Sequence, residues 1–254
     1  MKITFELNPP KILTDRRFDL PSLSRETKEF TNRASKLIGL VDSIHVTDSV
    51  LGIPRISSVT AATLITNTGN PLALTCSIRI RDRNRTSVRQ VVSDAILVGV
   101  KRLLILMGDD PTGEPNNPSL KPSDALKMLN FEKYNSLIRL GMAIPSKFGN
   151  LMSLQSKINA EPSFFITQCI TSIKELIEIK NAVEPHKIPI IACIMVPSEK
   201  NIKSAEWIGL DWTAYNQAPV DFIKQAGDIV EEVLITSPNS FKAGIEILEK
   251  LDAR

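Results

Sequence analysis

Cysteine, histidine, aromatic residues and long apolar runs are all scarce in this chain, and each scarcity closes a class of function. The three cysteines, Cys76, Cys169 and Cys193, lie far apart in apolar runs and form no CxxC. Neither a disulfide framework nor a zinc site is expected, and all three read as small core residues of a reducing compartment. Only two histidines are present, too few to assemble a metal centre around the nearby acids. His45, mid-strand in Ser43-Ile-His-Val-Thr-Asp48, reads as a hydrogen-bonded core residue, and His186, in Glu184-Pro-His-Lys187, as an exposed one. No stretch approaches the roughly 18 apolar residues of a membrane span, and the opening MKITFEL runs directly into a strand pattern without a cleavable apolar segment. A cytoplasmic chain with no membrane partner is expected. The charge surplus is also small: Lys+Arg 31 against Asp+Glu 28 leaves +3, which is too weak and too dispersed for a nucleic-acid groove. There is no GxGxxG, no P-loop lysine motif and no GxSxG, so the usual dinucleotide, nucleoside-triphosphate and serine-hydrolase signatures are missing.

What is there is regular alternation. Short β-rich runs over residues 2–7, 43–47, 72–78, 102–107, 137–144, 163–170, 188–196 and 232–236 are separated by segments of helical period. That order argues for βα units on a parallel sheet. Leu20-Pro-Ser-Leu-Ser-Arg-Glu26 begins one helix with a Ser and a Glu placed like a capping box. Residues 172–183 carry Ile173, Leu176, Ile177 and Ile179 on neighbouring turns, and residues 239–251 place Phe241, Ile245, Leu248 and Leu251 on one face behind an Asn239 cap. Eight strand–helix units in 254 residues leave room for one domain, 1–254. A single (β/α)₈ TIM barrel of α/β class is the expected fold.

In such a barrel the polar residues that end each strand face a shared pocket. The first strand ends Phe5-Glu6-Leu7-Asn8-Pro9-Pro10, a carboxylate in an apolar strand before a rigid exit. Glu6 either pairs with a cation or has its pKa raised by desolvation, which would make it a proton donor near neutral pH. The fourth ends Met107-Gly108-Asp109-Asp110, a glycine followed by two acids. The sixth carries Ile166-Thr167-Gln168-Cys169, whose amide either binds a heterocycle edge or is a satisfied core Gln. Arg79, Arg81, Arg83 and Arg85 form the densest basic run, readable as a phosphate holder or as a solvated helix start. Four of the sixteen prolines stand in the stretch 111–122, either a stiff connection or a wall of the pocket.

These motifs occur together in one family. FELNPP, IHVTD, RDRN, LMGDDP and ITQ resemble, in order and spacing, the strand-end motifs of the methylenetetrahydrofolate reductase barrel, and the resemblance spans essentially the whole chain. It implies an oxidoreductase that reduces the methylene form of a tetrahydrofolate-type carrier to the methyl form by hydride transfer. Glu6 would be the general acid, Asp109 would stabilise the cationic pterin and Gln168 would bind its ring. Thr47, Ser77, Arg81, Gly108, Asn150 and Lys157 would contact the flavin. The implied cofactor is FAD, with FMN or no flavin as alternatives, and the reductant is NAD(P)H or another external donor. Met107, Ser77, Ile144, Asn150 and Ser240 depart from residues common at those family positions, which weakens the expected flavin grip. A flavin-free tetrahydropterin-binding subunit acting with a partner reductase or methyltransferase is the alternative. A homo-oligomer or an electron-donor partner subunit is compatible with either.

Overall fold

The computed structural model describes residues 1–14, 17–110, 120–145 and 151–252. Eight parallel strands close into a barrel: β1 (Lys2–Leu7), β2 (Ser43–Val46), β3 (Ala73–Arg79), β4 (Arg102–Leu106), β5 (Arg139–Ile144), β6 (Phe164–Cys169), β7 (Ile190–Met195) and β8 (Glu232–Thr236). Each strand pairs with the next in sequence, and β1 pairs with both β2 and β8, so no edge is left open. The helices around it are α1 (Leu20–Lys36), α2 (Ser58–Thr66), α3 (Arg85–Val98), α4 (Pro122–Phe131), α5 (Leu151–Ile158), α6 (Ile173–Val183), α7 (Ile202–Trp207), α8 (Pro219–Ile229) and α9 (Phe241–Asp252). No described helix is long and apolar enough to cross a membrane.

Strand alternation sends one set of side chains to the helices and the other into the barrel. Outward residues such as Phe5, Ile44, Cys76, Leu103 and Ile144 join the helix faces in the larger core, which includes Val88, Val92 and Ala95 of α3 and Leu176, Ile179 and Val183 of α6. Phe5 meets Phe241 of α9 edge-on at 5.8 Å between ring centroids, which seats the last helix on the first strand. Inside the barrel, Leu104, Phe164, Ile166, Ile191, Cys193 and Leu234 form a second apolar layer. Gly141 is required there: a Cβ would stand 2.4 Å from the Phe164 ring.

The helix starts follow cap chemistry, with two differences from the sequence expectation. The α1 cap is Asp19, whose carboxylate accepts from Ser22 N–H at 3.3 Å, while the Glu26 side chain, further along the helix, accepts from Lys11 N–H. At α9 the cap is Ser240, whose hydroxyl accepts from Ala243 N–H at 3.3 Å; the Asn239 amide is engaged with Ser204 instead. At α6 the cap is Ser172, whose hydroxyl accepts from Glu175 N–H at 3.2 Å.

Beneath the apolar layer lies a buried polar plug. Arg102 donates to both carboxylate oxygens of Glu232 at 2.6 Å and also reaches Thr75 and Ser43. Burial raises the Glu232 pKa, but the bonds from Arg102 and Thr4 outweigh it and leave the group below its ordinary value. His45 is a core histidine, 1% exposed, with Nε2 2.7 Å from the Ser77 hydroxyl. Its Nδ1 is buried with no partner among the described residues. Burial, with the nearby Arg102 cation, pushes the His45 pKa down to about 3. The unfolded chain therefore binds a proton at this residue below about pH 6.5 that the folded chain refuses, so stability present at neutral pH is lost as pH falls. Urea unfolding at pH 7 and pH 5 is expected to show the wild type about 2 kcal/mol less stable at the lower pH through this group, with His45→Gln lacking that loss.

Candidate active site

Glu6 stands at the carboxyl end of β1, with its Oε1 accepting from the Thr236 hydroxyl of β8 at 2.7 Å. No cation pairs with it among the described residues. Burial raises its pKa and the Thr236 bond only partly offsets this, so of the two readings open in the sequence the desolvated carboxyl is the one realised. The exit after it is clamped to the chain beyond β2. Thr47 donates to Asn8 Oδ1 at 2.7 Å, Arg55 donates to the Pro9 carbonyl at 2.5 Å, and Ile56 N–H reaches the Pro10 carbonyl. Two consecutive prolines supply no N–H, so their carbonyls carry the anchoring.

Next to Glu6, the ladder between β6 and β7 shifts register between Ile166 and Cys169 and pairs Cys169 with Cys193. The two sulfurs are 3.6 Å apart. Together with Glu6, Thr236 and Met195 they floor a cavity of about 490 Å³, walled by Phe30 and Arg33 of α1 and by the segment containing Leu51 and Arg55. A second cavity of about 470 Å³ meets the first at Cys169, Cys193 and Ile208, and Gln168 lines it. Gln168 is exposed at the rim rather than buried. Each volume suits a drug-sized heterocycle.

Asp109 reaches the first cavity indirectly. Its Oδ2 accepts from Leu51 N–H at 2.7 Å, and Leu51, which lines the cavity, sits at φ 62, in the left-handed region that a branched residue rarely adopts. The carboxylate therefore holds a strained turn in the cavity wall. Gly108, before it, has φ +84, and a Cβ there would lie 2.8 Å from Arg79 Cβ. The glycine is thus explained by packing on Arg79.

The sequence profile of the family Methylenetetrahydrofolate reductase matches residues 2–225. The chain belongs to the methylenetetrahydrofolate reductase family. It is an oxidoreductase of that type. No curated protein matches the sequence. Solved structures share the barrel at low identity: 2,3-dimethylmalate lyase has a TM-score of 0.62 at 10% identity, covering 98% of this chain and 80% of that one. The tryptophan synthase α2β2 complex from Pyrococcus furiosus gives 0.59 at 9%, covering 99% and 96%. An aldolase, QR15, gives 0.57 at 12%, covering 98% and 96%. At these identities the likeness concerns the fold alone.

Within the methylenetetrahydrofolate reductase barrel, Thr47, Ser77, Arg81 and Lys157, expected to hold a flavin, do not line the Glu6 cavity and are engaged with the protein. Thr47 is bonded to Asn8, and Ser77 to His45. Lys157 donates to the Ala143 carbonyl at 2.6 Å, its pKa lowered by burial. Arg81 donates to the Gly108 carbonyl and pairs with Asp110 at 2.5 Å. Arg79 pairs with Asp82, and Arg83 with Asp48, so three cations of the basic run are tied to acids of the same barrel mouth. Ile144 is buried among the helix-facing residues. Asn150 and residues 111–119 lie outside the described residues. The described side chains therefore do not fit as a ready flavin cradle.

Three contributors escaped the sequence reading. Thr236 ends β8 and was open to the same strand-end question that found Glu6. Arg55 lies in a loop with no motif around it. The Cys169–Cys193 pair carries no sequence signal, because 24 residues separate the two and only the barrel brings them together.

Proposed function

We propose that the chain, acting as one catalytic unit, reduces the methylene form of a tetrahydrofolate-type carrier to its methyl form. The carrier's ring occupies the joined cavities, Gln168 meets its edge and Glu6 faces the bridging carbon and nitrogens. Glu6, whose pKa burial raises, donates a proton in its acid form to the bridge nitrogen whose bond to the methylene carbon breaks. The remaining iminium accepts hydride at that carbon, which becomes the methyl group. The Asp109 carboxylate, bonded to Leu51 N–H behind the cavity wall, adds negative potential to the site of the developing cation, and an interaction that strengthens as the cation forms accelerates the step. The observation that carries this reading is Glu6: a carboxyl without a cation partner among the described residues, raised by burial, on the floor of a cavity of ligand size.

The family is generally flavin-dependent, yet the engaged side chains give no reason to route a step through a resident flavin. The hydride donor in this reading enters from outside. The test is formation of methyl product from methylene-tetrahydrofolate with NADH, NADPH, reduced FAD and reduced FMN supplied separately. Folded protein that yields no product with any donor sinks the proposal. Asp109→Asn keeps an acceptor for Leu51 N–H while removing the charge. With the active donor, kcat is expected to fall on the order of 10²-fold with KM nearly unchanged; equal kcat removes Asp109 from the chemistry.

A further inference from the structure

Two of the three cysteines face the cleft and each other. Cys169 is half-buried and Cys193 is buried, and both line the two cavities at their junction. They are register partners on adjacent parallel strands, and neighbouring strands run about 4.8 Å apart, inside the Cα separation that a disulfide spans. The sulfurs, at 3.6 Å, need only side-chain rotation to reach bonding distance. The register shift after Ile166 is what brings Cys169 opposite Cys193. Cys76 provides the contrast: it faces the helix layer, its Sγ lies 3.5 Å from the Ser58 carbonyl, and burial pushes its pKa up to about 12.

We propose that Cys169 and Cys193 form a redox-active dithiol in the cleft floor, oxidised to an intramolecular disulfide by small disulfide compounds entering through the cleft. The more exposed Cys169, as thiolate, attacks one sulfur of the small disulfide; a mixed disulfide forms and one small thiolate leaves. Cys193 then loses its proton to solvent and attacks the Cys169 sulfur, expelling the second small thiolate. The protein pair is oxidised by two electrons, the small disulfide is reduced to two thiols, and the leaving thiolates take up the protons released. The bond from Cys169, burial and the nearby Glu6 carboxylate all raise the Cys193 pKa, so closure is slow at neutral pH and accelerates with pH. Closing the bond pulls the shared wall of both cavities inward and removes two S–H groups beside Glu6.

This site does not depend on the reductase reading, and its test needs no turnover. Fully reduced protein is incubated with oxidised glutathione, quenched in acid, unfolded, alkylated and peptide-mapped. Alkylatable thiols are expected to fall from three to one, with a linked peptide joining Cys169 to Cys193 that dithiothreitol reverses. Cys76→Ser is expected to form the same link. Cys193→Ser is expected to stop at a glutathione adduct on Cys169. The closure rate is expected to rise by about tenfold per pH unit between pH 7 and 8. Three outcomes overturn the proposal: Cys169 remains unreactive in the folded protein, the wild type stops at the mixed disulfide, or the link forms only after unfolding in urea.

Discussion

Glu6→Gln is expected to lower the rate of methyl product formation by about 10² to 10⁴-fold while leaving the dissociation constant of the tetrahydropterin within a few-fold of wild type. That range is the usual contribution of a positioned general acid. Glutamine retains the shape and still accepts from the Thr236 hydroxyl that holds Glu6 Oε1 at 2.7 Å, so the floor of the cavity persists and only the transferable proton is lost. The pH dependence carries the same information with a definite sign. Burial raises the Glu6 pKa from 4.5, and the protonated form is the working form, so kcat/KM falls on the alkaline side as Glu6 ionises. The variant is expected to lack that limb. Stability gives an independent check. Between the ordinary carboxyl pKa and the raised one, the folded state holds a proton that the unfolded state has released, so the wild type loses stability as pH rises through this window. Glu6→Gln is expected to lose none, and its margin over wild type in urea unfolding should widen from pH 4.5 upward. Equal rates in the two proteins would take Glu6 out of the mechanism, whatever the stability data show.

Arg102→Met is expected to destabilise the barrel by about 3–5 kcal/mol, the typical result of removing one partner of a buried ion pair. For a chain of this size that lowers the melting temperature by roughly 10 °C. Arg102 and Glu232 are bonded at 2.6 Å through both carboxylate oxygens, with Thr75, Ser43 and Thr4 completing the network. Losing the guanidinium leaves a carboxylate enclosed beneath the apolar layer with a single hydroxyl donor. The uncompensated charge, more than the lost attraction, sets the magnitude. Arg102→Met combined with Glu232→Leu is expected to recover most of the stability, because two apolar side chains fill the layer without a stranded charge. Thermal unfolding of the single and double variants checks this. If the single variant loses less than about 1 kcal/mol, the plug behaves as a solvated pair and not as a buried one.

The barrel was readable because its signals are local. Eight β-rich runs separated by helical periods specify parallel strands whatever the loops do, since a parallel pair needs a long crossover and the helix is that crossover. Glu6 was readable for the same reason: a carboxylate inside an apolar strand is anomalous on its own, and a strand end in a barrel points to one place. The caps were less legible. Asp19 displaced the Ser–Glu pair at α1 and Ser240 displaced Asn239 at α9, where other bonds hold the expected side chains: Lys11 N–H donates to Glu26, and the Asn239 amide N–H donates to the Ser204 hydroxyl. The arginine run looked like a candidate anion site. Asp82 belongs to the run itself, three residues from its partner Arg79, but Asp48 and Asp110 come from different loops of the barrel mouth, and their pairing is invisible along the chain.

The sequence by itself determined the class of the fold, the order of its units, the motifs that place the chain in its family and the identity of the acid at the end of β1. These follow from short-range periodicity and from residue types unusual in their immediate setting. Only the tertiary structure decided that Glu6 lacks a cation partner among the described residues, that Asp109 bonds Leu51, that Thr47, Ser77, Arg81 and Lys157 are already bonded within the protein and that Cys169 lies against Cys193. Each of these depends on which strand and loop ends close around the mouth and on their register, and closure brings together residues that no local pattern relates.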